Sequence, residues 1–237
     1  MTENKNFYVT AIVLAGGSGS RMKSAITKQC IKILGESVIK RAVFVFEKCA
    51  AIDDIIVVAK RDELEFVKDE LCDFKKVTSI VVGGKCRAES AAAGFAAVEK
   101  NKKSIVLIHD AARCLVSEED VERVIRDTER YGAATASVRV TDTLKRVSDE
   151  GKICETVSRD ALRSVQTPQG FLYELYSEAL NKWDKPLELL TDDNMLLENA
   201  GIKPFCSETS PWNIKITVAE DIALAEYLIE KGKYNIS

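Results

Sequence analysis

The sequence is poor in histidine and has no closely paired cysteines. His109 is the single histidine among 237 residues, and the seven cysteines, an odd number, include no CxxC pair. Without such ligand clusters we expect no zinc site, and a Ser-His-Asp triad would have to use His109. Unpaired cysteines are typical of reduced thiols in a cytosolic chain, so we expect no disulfide framework.

Long apolar runs and an excess of positive charge are also missing. No apolar segment reaches the length needed to span a membrane, and the opening MTENKNFY has no apolar stretch of the signal-peptide type. The net charge of −3 gives no general reason to bind nucleic acid. We therefore expect a cytoplasmic protein with no membrane and no nucleic-acid partner. A polyanionic ligand would need a local cluster of Lys and Arg.

The composition is that of an ordinary folded domain. Apolar residues make up 46% and charged residues 30% of the chain, and a chain of this length buries a substantial core without disulfides. No internal repeat and no linker-like stretch divides it. We expect a single domain over residues 1–237.

Short β-branched or apolar runs alternate with segments of helical periodicity through the first half of the chain. This alternation is typical of a layered α/β domain with a largely parallel sheet. The predicted strands are Val9 to Leu14, Ile55 to Ala59, Ser79 to Val82, Ile105 to Ile108 and Ala133 to Val138.

Between the strands, apolar residues recur at the i, i+3, i+4, i+7 spacing of a helix face. The three faces are Ile39, Ala42, Val43 and Phe46; Ala91, Gly94, Phe95 and Val98; and Val121, Val124, Ile125 and Thr128. Ser117 with Asp120 three residues later resembles a capping box and places the start of the third helix. Further helices are predicted from about Tyr173 to Trp183, Thr191 to Ala200 and Ala219 to Lys231.

The segment TDTLKRVSDEGKICETVSR, about residues 141–159, breaks this alternation. It predicts two short strands joined by the turn residues SDEG. An isolated hairpin is marginally stable in water, so it must pack on its own domain or on a second subunit. We expect a dimer contact.

The segment AIVLAGGSGSRM, residues 11–22, leads from a predicted strand into a glycine-rich loop. Gly16, Gly17 and Gly19 let the backbone adopt positive φ, so that consecutive N–H groups converge on phosphate oxygens. Arg21 follows the glycines, and Lys28 comes shortly after in TKQ. Loop amides with a nearby Arg and Lys suit a triphosphate, although a glycine-rich turn with solvated cations fits the same pattern.

Two common phosphate-binding loops do not fit. A Walker A loop requires Lys and then Ser or Thr after its last glycine, whereas this loop continues with Ser20, Arg21 and Met22. The dinucleotide fingerprint requires a glycine where Met22 stands and an acidic residue at the end of the second strand, where residues 58–60 are VAK.

Asp110 closes the fourth predicted strand in VLIHDAAR. A carboxylate at the carboxyl end of a parallel strand lies at the rim where α/β sheets bind ligands. There it can orient the substrate or Mg²⁺, which prefers oxygen ligands and bridges triphosphate oxygens. We expect Mg²⁺ as the cofactor and Asp110 as its ligand. His109 is predicted to be a packed or hydrogen-bonded residue rather than a catalytic one.

A family resemblance emerges from strings that are spread over the chain. LAGGSGSRM is followed by KQ, GGKCRAESAAAG, IHDAAR, TDTLKR, QTPQ, LTDD and NIKIT. The first two are similar to the signature of sugar-nucleotide pyrophosphorylases and cytidylyltransferases. The full order, from about Thr10 to Ile229, resembles the 2-C-methyl-D-erythritol 4-phosphate cytidylyltransferase family of the non-mevalonate isoprenoid pathway.

The resemblance implies a Rossmann-like nucleotidyltransferase fold, with a mostly parallel mixed sheet flanked by helices. It also implies that the hairpin is an arm through which two subunits form a homodimer. The implied enzyme transfers the cytidylyl group of CTP to methylerythritol phosphate with Mg²⁺, giving 4-diphosphocytidyl-2-C-methyl-D-erythritol and pyrophosphate. Because a phosphate nucleophile is already ionised at neutral pH, the protein need only align two polyanions and offset charge on the transition state.

The resemblance assigns site residues one by one. Arg21 would hold the β- and γ-phosphates, Lys28 the α-phosphate, and Lys215 would be the second catalytic lysine. The implied CTP-binding residues are Ala15, Gly16, Gly17, Gly19, Arg21, Lys28, Gly84, Arg87, Ser90 and Asp110. The implied methylerythritol phosphate site comprises Asp110, Arg113, Thr143, Arg159, Thr191 and Lys215. Two of these, Thr143 and Arg159, lie on the arm and would serve the partner subunit's active site.

Alternatives remain open at this point. Ser90 can equally be a helix-capping residue, and Lys215 taken alone is typical of a solvated lysine at a strand end. A cytidylyltransferase for another polyol phosphate, such as ribitol 5-phosphate, shares the loop and HDA but tends to carry valine where Ala112 stands. A catalytically silent nucleotide-binding or regulatory protein would have lost part of the catalytic charged set, which is complete here.

Overall fold

The computed structural model describes residues 7–16, 27–99 and 103–232. Its strands are β1 (Tyr8–Leu14), β2 (Lys32–Ile33), β3 (Glu36–Ser37), β4 (Asp54–Ala59), β5 (Val77–Val82), β6 (Ser104–Asp110), β7 (Ala133–Arg139), β8 (Leu144–Val147), β9 (Ile153–Val157), β10 (Arg163–Leu172) and β11 (Phe205–Glu208). Its α-helices are α1 (Val38–Lys48), α2 (Leu64–Glu70), α3 (Arg87–Ala96), α4 (Glu118–Tyr131), α5 (Tyr173–Lys182), α6 (Asn194–Asn199) and α7 (Ala219–Glu230).

Seven strands form one mixed sheet in the order β11-β7-β10-β6-β1-β4-β5. All neighbouring pairs are parallel except those of β10, which runs antiparallel to both β6 and β7. The five predicted strands are all present, and the mostly parallel mixed sheet is confirmed. After β1, the chain adds β4 and β5 on one side of β1 and then β6 on the other. The strand order therefore reverses beside β1. Open α/β sheets bind ligands at such a point.

Strand β10 is absent from the sequence prediction. Its sequence RSVQTPQGFL contains a proline and a glycine, which argue against a central strand. The pairing of β10 with β7 shifts register between Val165 and Gln169, and this irregularity accommodates Pro168, which has no N–H for the ladder. The strand is therefore possible at the centre of the sheet because its ladder is interrupted at the proline.

Helices cover both faces of the sheet. Val9, Ala11 and Val13 of β1 pack in one buried cluster with α1, α2, α4 and α7. The alternate residues Ile12 and Leu14 pack in a second cluster with α3, α5 and α6. This is the burial on both faces that parallel strands require.

Helix ends differ in detail from the sequence prediction. Helix α6 begins at Asn194, three residues after Thr191, and α3 ends before Val98, which is buried in the same cluster nevertheless. Ser117 caps α4 by accepting a hydrogen bond from the amide of Asp120 at 3.1 Å. The Asp120 carboxylate accepts from the Ser210 amide at 2.9 Å, so the second half of the predicted capping box is replaced by a tertiary contact.

The predicted hairpin is present. β8 and β9 pair antiparallel and form a two-stranded sheet of their own. The apolar side chains of Val147 and Ile153 are 55% and 66% exposed. Within the described ranges, no helix is long and apolar enough to cross a membrane.

The carboxyl ends of the central strands meet at one edge of the sheet. Leu14 at the end of β1 is in register with Asp110 on β6 and with Val58 on β4, and Ala59 on β4 pairs with Val82 at the end of β5. The segments that follow β1, β5 and β6 therefore leave the sheet at the same edge.

Gly94 lies where α3 packs on β1 and β4. A Cβ added there would meet the side chain of Ile12 and would lie 2.8 Å from Cγ2 of Val58. Overpacking costs about 1–3 kcal/mol, and here we expect it to exceed the gain of about 1 kcal/mol in helix propensity. Gly94→Ala should therefore lower the free energy of unfolding by up to about 2 kcal/mol in urea denaturation. Ala96→Ser, exposed on the same helix, is the control, and a fully stable Gly94→Ala would contradict this packing.

Candidate active site

The carboxylate of Asp110 is the centre of a charged cluster at the carboxyl edge of the sheet. Nε of Arg87 donates to Oδ1 of Asp110 at 2.9 Å, and Nζ of Lys215 donates to Oδ2 at 2.6 Å. Asp110 ends β6, Arg87 begins α3, and Lys215 lies in the extended segment between β11 and α7. Three stretches of chain that are distant in sequence thus meet on one carboxylate.

This carboxylate is buried and charged. Burial alone would raise the pKa of Asp110, but the charges of Arg87 and Lys215, with their hydrogen bonds, outweigh burial and hold that pKa below its usual range. Burial likewise opposes the charge of Arg87, but Asp193 and Asp110 outweigh it and raise the pKa of the guanidinium. Both groups are therefore ionised at neutral pH.

Asp193 extends the cluster on the other side of Arg87. Nη1 of Arg87 donates to Oδ2 of Asp193 at 2.7 Å, and the hydroxyl of Tyr176 donates to Oδ1 at 2.9 Å. The result is a chain of alternating charges, from Asp193 through Arg87 and Asp110 to Lys215. No role for Asp193 follows from the sequence. Asp193 is the second Asp of the string LTDD. That string supported the family resemblance, but no role was assigned to this Asp.

The segment that carries Lys215 is fixed to the IHDAAR stretch. The amide of Ile216 donates to the carbonyl of Ala112 at 2.8 Å, and Nη1 of Arg113 donates to the carbonyl of Asn213 at 2.8 Å. Nδ2 of Asn213 donates to the carbonyl of Thr167 at 2.8 Å. These bonds account for the position of Lys215 beside Asp110, and they show Arg113 supporting the same segment.

His109 is a fully buried, hydrogen-bonded residue, as predicted. Its Nε2 lies 3.1 Å from the carbonyl of Arg113, which can only accept, so Nε2 carries the proton. Its unprotonated Nδ1 accepts from the hydroxyl of Thr167 at 3.0 Å, and this hydroxyl in turn accepts from the amide of Asp110 at 3.1 Å. Burial lowers the pKa of His109 to about 4. The neutral ring thus fixes the HDAAR turn through the carbonyl of Arg113 and, by way of Thr167, through the amide of Asp110.

The predicted nucleotide-binding residues Gly16, Gly84 and Ser90 lie together. The hydroxyl of Ser90 accepts from the amide of Gly84 at 3.2 Å and donates to the carbonyl of Cys86 at 3.0 Å. A Cβ on Gly16 would lie 3.4 Å from this hydroxyl, so the segments after β1 and β5 adjoin here. The helix cap is Cys86, whose sulfur accepts from the amide of Glu89 at 3.4 Å, and Ser90 instead closes the GGKC loop. Ala15, which precedes Gly16, is buried.

Lys28 begins a short 3-10 turn, Lys28–Cys30. Burial would raise the pKa of Asp221 at the start of α7, but hydrogen bonds from Val218 and Thr217, together with the charge of Lys28, lower it. Lys28 therefore lies near the end of the segment that carries the second predicted catalytic lysine. The predicted loop residues Gly17, Gly19 and Arg21 lie outside the described residues.

The remaining predicted substrate residues, Thr143, Arg159 and Thr191, are exposed. Arg159 donates to the carbonyl of Thr141 at the base of the hairpin, close in sequence to Thr143. Thr191 precedes α6, with its hydroxyl 3.9 Å from the sulfur of Met195. In the part of the chain that the structure describes, no hydrogen bond joins Thr143, Arg159 or Thr191 to Asp110.

Asp110 is chemically suited to a magnesium ion. Each carboxylate oxygen accepts one hydrogen bond and keeps a further lone pair. Mg²⁺ in nucleotide sites takes one or two carboxylates together with phosphate oxygens and water. A single carboxylate between two cations fits that mode of binding when a triphosphate supplies the other ligands.

The fold and the site together define the class of protein. A switch point beside β1, a glycine-rich segment after it, and a carboxylate held by cations at the end of β6 are the features of a Rossmann-like nucleotidyltransferase.

Comparison with known proteins narrows the class to a family. The model of the family described as IspD, 2-C-methyl-D-erythritol 4-phosphate cytidylyltransferase, matches residues 9–231. Relatives of that name from Clostridium botulinum (strain Okra / Type B1) and Clostridium acetobutylicum are each 39% identical, and each match spans 94% of this chain and 97% of the relative. The crystal structure of 4-diphosphocytidyl-2C-methyl-D-erythritol synthase from Anaerococcus prevotii DSM 20548 superposes with a TM-score of 0.82 at 28% identity, over 95% of this chain and 97% of that one.

The chain belongs to the 2-C-methyl-D-erythritol 4-phosphate cytidylyltransferase family. The family resemblance, the fold class and the expectation of a nucleotidyltransferase enzyme are confirmed. The individual site residues stay predictions.

The low pKa of Asp110 ties stability to pH. A carboxyl group whose pKa is lower in the folded than in the unfolded protein stabilises the fold above its unfolded pKa of about 3.9, and loses this effect as pH falls. Removing one partner of a buried ion pair is costly, so we expect Asp110→Asn to lower the free energy of unfolding by about 2–4 kcal/mol at neutral pH. The difference from wild type should shrink below about pH 4 in urea denaturation.

Asp149→Asn, in the exposed turn of the hairpin, is the control for removing a carboxylate. A difference between Asp110→Asn and wild type that stays constant into acid would show that the ion pairs of Asp110 do not stabilise the fold.

Proposed function

We propose that this protein transfers the cytidylyl group of CTP to 2-C-methyl-D-erythritol 4-phosphate, releasing pyrophosphate, and that it works as a single domain with Mg²⁺. The observation that carries the proposal is the Asp110 carboxylate held between Arg87 and Lys215 at the edge of the sheet where β1 ends, two residues before Gly16. Both helical layers pack on this one sheet, which supports the single domain.

The reaction needs alignment and charge compensation more than proton transfer. The attacking phosphate oxygen is already ionised, and the α-phosphorus of CTP gains negative charge around it as the bond forms. Lys28 and Lys215 would stabilise that charge, while Arg21 would hold the departing β- and γ-phosphates. The charge of Lys28 acts on Asp221 in the first turn of α7, which follows the segment that carries Lys215, and this supports a shared role for the two lysines.

The nucleotide would bind along the segments that meet at Ser90. Amides of Ala15, Gly16, Gly17 and Gly19 would contact the phosphates, and Gly84 and Ser90 would face the base and ribose. When bound to Asp110, Mg²⁺ would neutralise triphosphate charge. Asp110 itself would orient the metal and keep Lys215 in place beside it.

The acceptor, methylerythritol phosphate, would bind on the side of Asp110 that faces away from the nucleotide. Arg113 would contact it from the IHDAAR stretch, Thr191 from the segment before α6, and Thr143 and Arg159 from the arm of the other subunit of a homodimer. The exposed apolar side chains of Val147 and Ile153 on the hairpin support a dimer contact, because a two-stranded hairpin alone is marginally stable.

We expect the purified protein with Mg²⁺ to release pyrophosphate with CTP and methylerythritol phosphate. UTP, ATP and GTP should be poor donors, and ribitol 5-phosphate should be a poor acceptor. A coupled pyrophosphate assay over all pairs measures this. A preference for ribitol phosphate would replace the proposed acceptor. If the protein binds CTP but releases no pyrophosphate with any pair, the proposed reaction is overturned.

We expect Lys28→Ala and Lys215→Ala each to reduce kcat at least about 100-fold, since each removes a cation from the transition state. Lys185→Ala, an exposed lysine outside the site, is the matched control. Circular dichroism and thermal melting check that the variants fold. Near-normal turnover by a folded Lys28→Ala or Lys215→Ala variant would exclude that lysine from the mechanism.

If the arm of each subunit completes the site of its partner, two differently defective subunits should complement each other. Lys215→Ala inactivates the site of its own subunit, whereas Arg159→Ala inactivates the site of the partner subunit. A mixed dimer then holds one intact site, so co-expressed subunits should recover about a quarter of wild-type activity after random pairing. Absence of recovery in purified mixed dimers would place Arg159 in its own subunit's site.

A further inference from the structure

We propose that Asp193 is a positioning residue for the nucleotide site: it holds the guanidinium of Arg87 so that Arg87 orients Asp110 and presents one further donor to CTP. The proposal rests on the proposed function, which places Arg87 and Asp110 in the CTP site. Asp193 is not among the residues that the family resemblance assigns to the site.

The residue Asp193 is held by contacts with three elements. It is 1% exposed, and its oxygens accept from Tyr176 on α5 at 2.9 Å and from Arg87 on α3 at 2.7 Å. Its own amide donates to Oε1 of Gln169 on β10 at 3.0 Å. Because both oxygens and the backbone are held, the direction that Asp193 presents to Arg87 is fixed.

Tyr176 acts in this arrangement as a permanent donor. Burial, and then the charge of Asp193, raise the pKa of the Tyr176 hydroxyl well above its ordinary value. The hydroxyl therefore keeps its proton, and Asp193 keeps one oxygen occupied and the other directed at Arg87.

The guanidinium of Arg87 is consequently held along two edges. Nε is bonded to Asp110 and Nη1 to Asp193, and a guanidinium is planar with its donors in a fixed fork. Its Nη2 is buried and has no hydrogen-bond partner among the described residues. Burying an unpaired donor is costly, so this nitrogen points to a ligand that brings an acceptor oxygen, which CTP offers on its phosphates, ribose and base.

Asp193 also keeps Arg87 from occupying Asp110 fully. An arginine beside a single carboxylate tends to bond it in a bidentate manner through two nitrogens. Nε and Nη2 form the edge that could bond one carboxylate in this way, but only Nε bonds Asp110, because the contact of Nη1 with Asp193 fixes the orientation of the guanidinium. Oδ2 of Asp110 remains with Lys215. Without Asp193, Arg87 would turn onto Asp110 and compete with Lys215 and Mg²⁺ for its oxygens.

The test is Asp193→Asn, which keeps the shape of the side chain and removes its charge. We expect the KM for CTP to rise about 10- to 100-fold, the change in affinity that loss of a charge-assisted hydrogen bond produces. The KM for methylerythritol phosphate should rise less than the KM for CTP, because Arg87 is assigned to the CTP site alone, whereas Asp110 and Lys215 are shared by both sites. Glu198→Gln, which removes a carboxylate from the exposed side of α6, is the charge control. An unchanged KM for CTP, or an equal rise in both KM values, would overturn the proposal.

A double-mutant cycle with Arg87→Gln separates positioning from general damage. If Asp193 acts through Arg87, adding Asp193→Asn to Arg87→Gln should change the KM for CTP by less than about twofold. Multiplication of the two single effects would overturn the proposal. Should Asp193→Asn not fold, Tyr176→Phe withdraws one hydrogen bond from Asp193 without a change of charge. It should still raise the KM for CTP about threefold, with a smaller change in the other KM, and an unchanged KM for CTP would overturn the proposal.

Calorimetric titration with CTP distinguishes this proposal from the proposed function. If wild type binds CTP but does not use methylerythritol phosphate, the reaction is wrong, yet weaker CTP binding by Asp193→Asn would still support the role of Asp193. Full turnover by wild type together with unaltered CTP affinity in Asp193→Asn would refute the role of Asp193 alone.

Discussion

A buried carboxylate at the end of the central β6 strand is the constraint on which the rest of this structure depends. Asp110 is stable there as an anion only because cations surround it, since a buried charge without a partner is strongly unfavourable. Arg87 and Lys215 supply the cations from positions 23 residues before and 105 residues after it. The start of α3 and the segment before α7 are therefore drawn to the same edge of the sheet, and the site forms where the fold balances its charges.

The balance is complete within the cluster. Asp193 and Asp110 carry two negative charges, and Arg87 and Lys215 carry two positive ones. This cluster alone is a weak attractor for a triphosphate, because its own anions already screen its cations. Additional cations must provide the long-range attraction, and the family assignment of Arg21 and Lys28 to the phosphates agrees with this requirement. The cluster contributes direction instead, with the preorganised geometry that a charged transition state needs.

Local patterns in the sequence predicted the elements that local chemistry determines. The parallel strands were found because they are buried on both faces and read as apolar runs, and Ser117 was found as a cap because its partner is three residues away. Asp193 was missed because the residue it pairs with lies 106 positions earlier, beyond any local pattern. For the same reason no pattern predicted the contact of the Asp120 carboxylate, since the amide of Ser210 is 90 residues further on. Family strings predicted Asp110 and Lys215 as site residues, but they carry no information on which groups hold these side chains in place.

The two ends of the charged chain differ in exposure, and this has a consequence for the reaction. The side chain of Asp193 is 2% exposed, whereas that of Lys215 is 39% exposed. A buried ion pair cannot open without leaving a charge unpaired, but a partly exposed lysine exchanges a carboxylate for another anion at little cost because water screens both states. Arg87 and Asp193 thus form the rigid end of the chain. Lys215, at the exposed end, is the member free to move from Asp110 to a substrate phosphate, which is the movement that the proposed catalytic role requires.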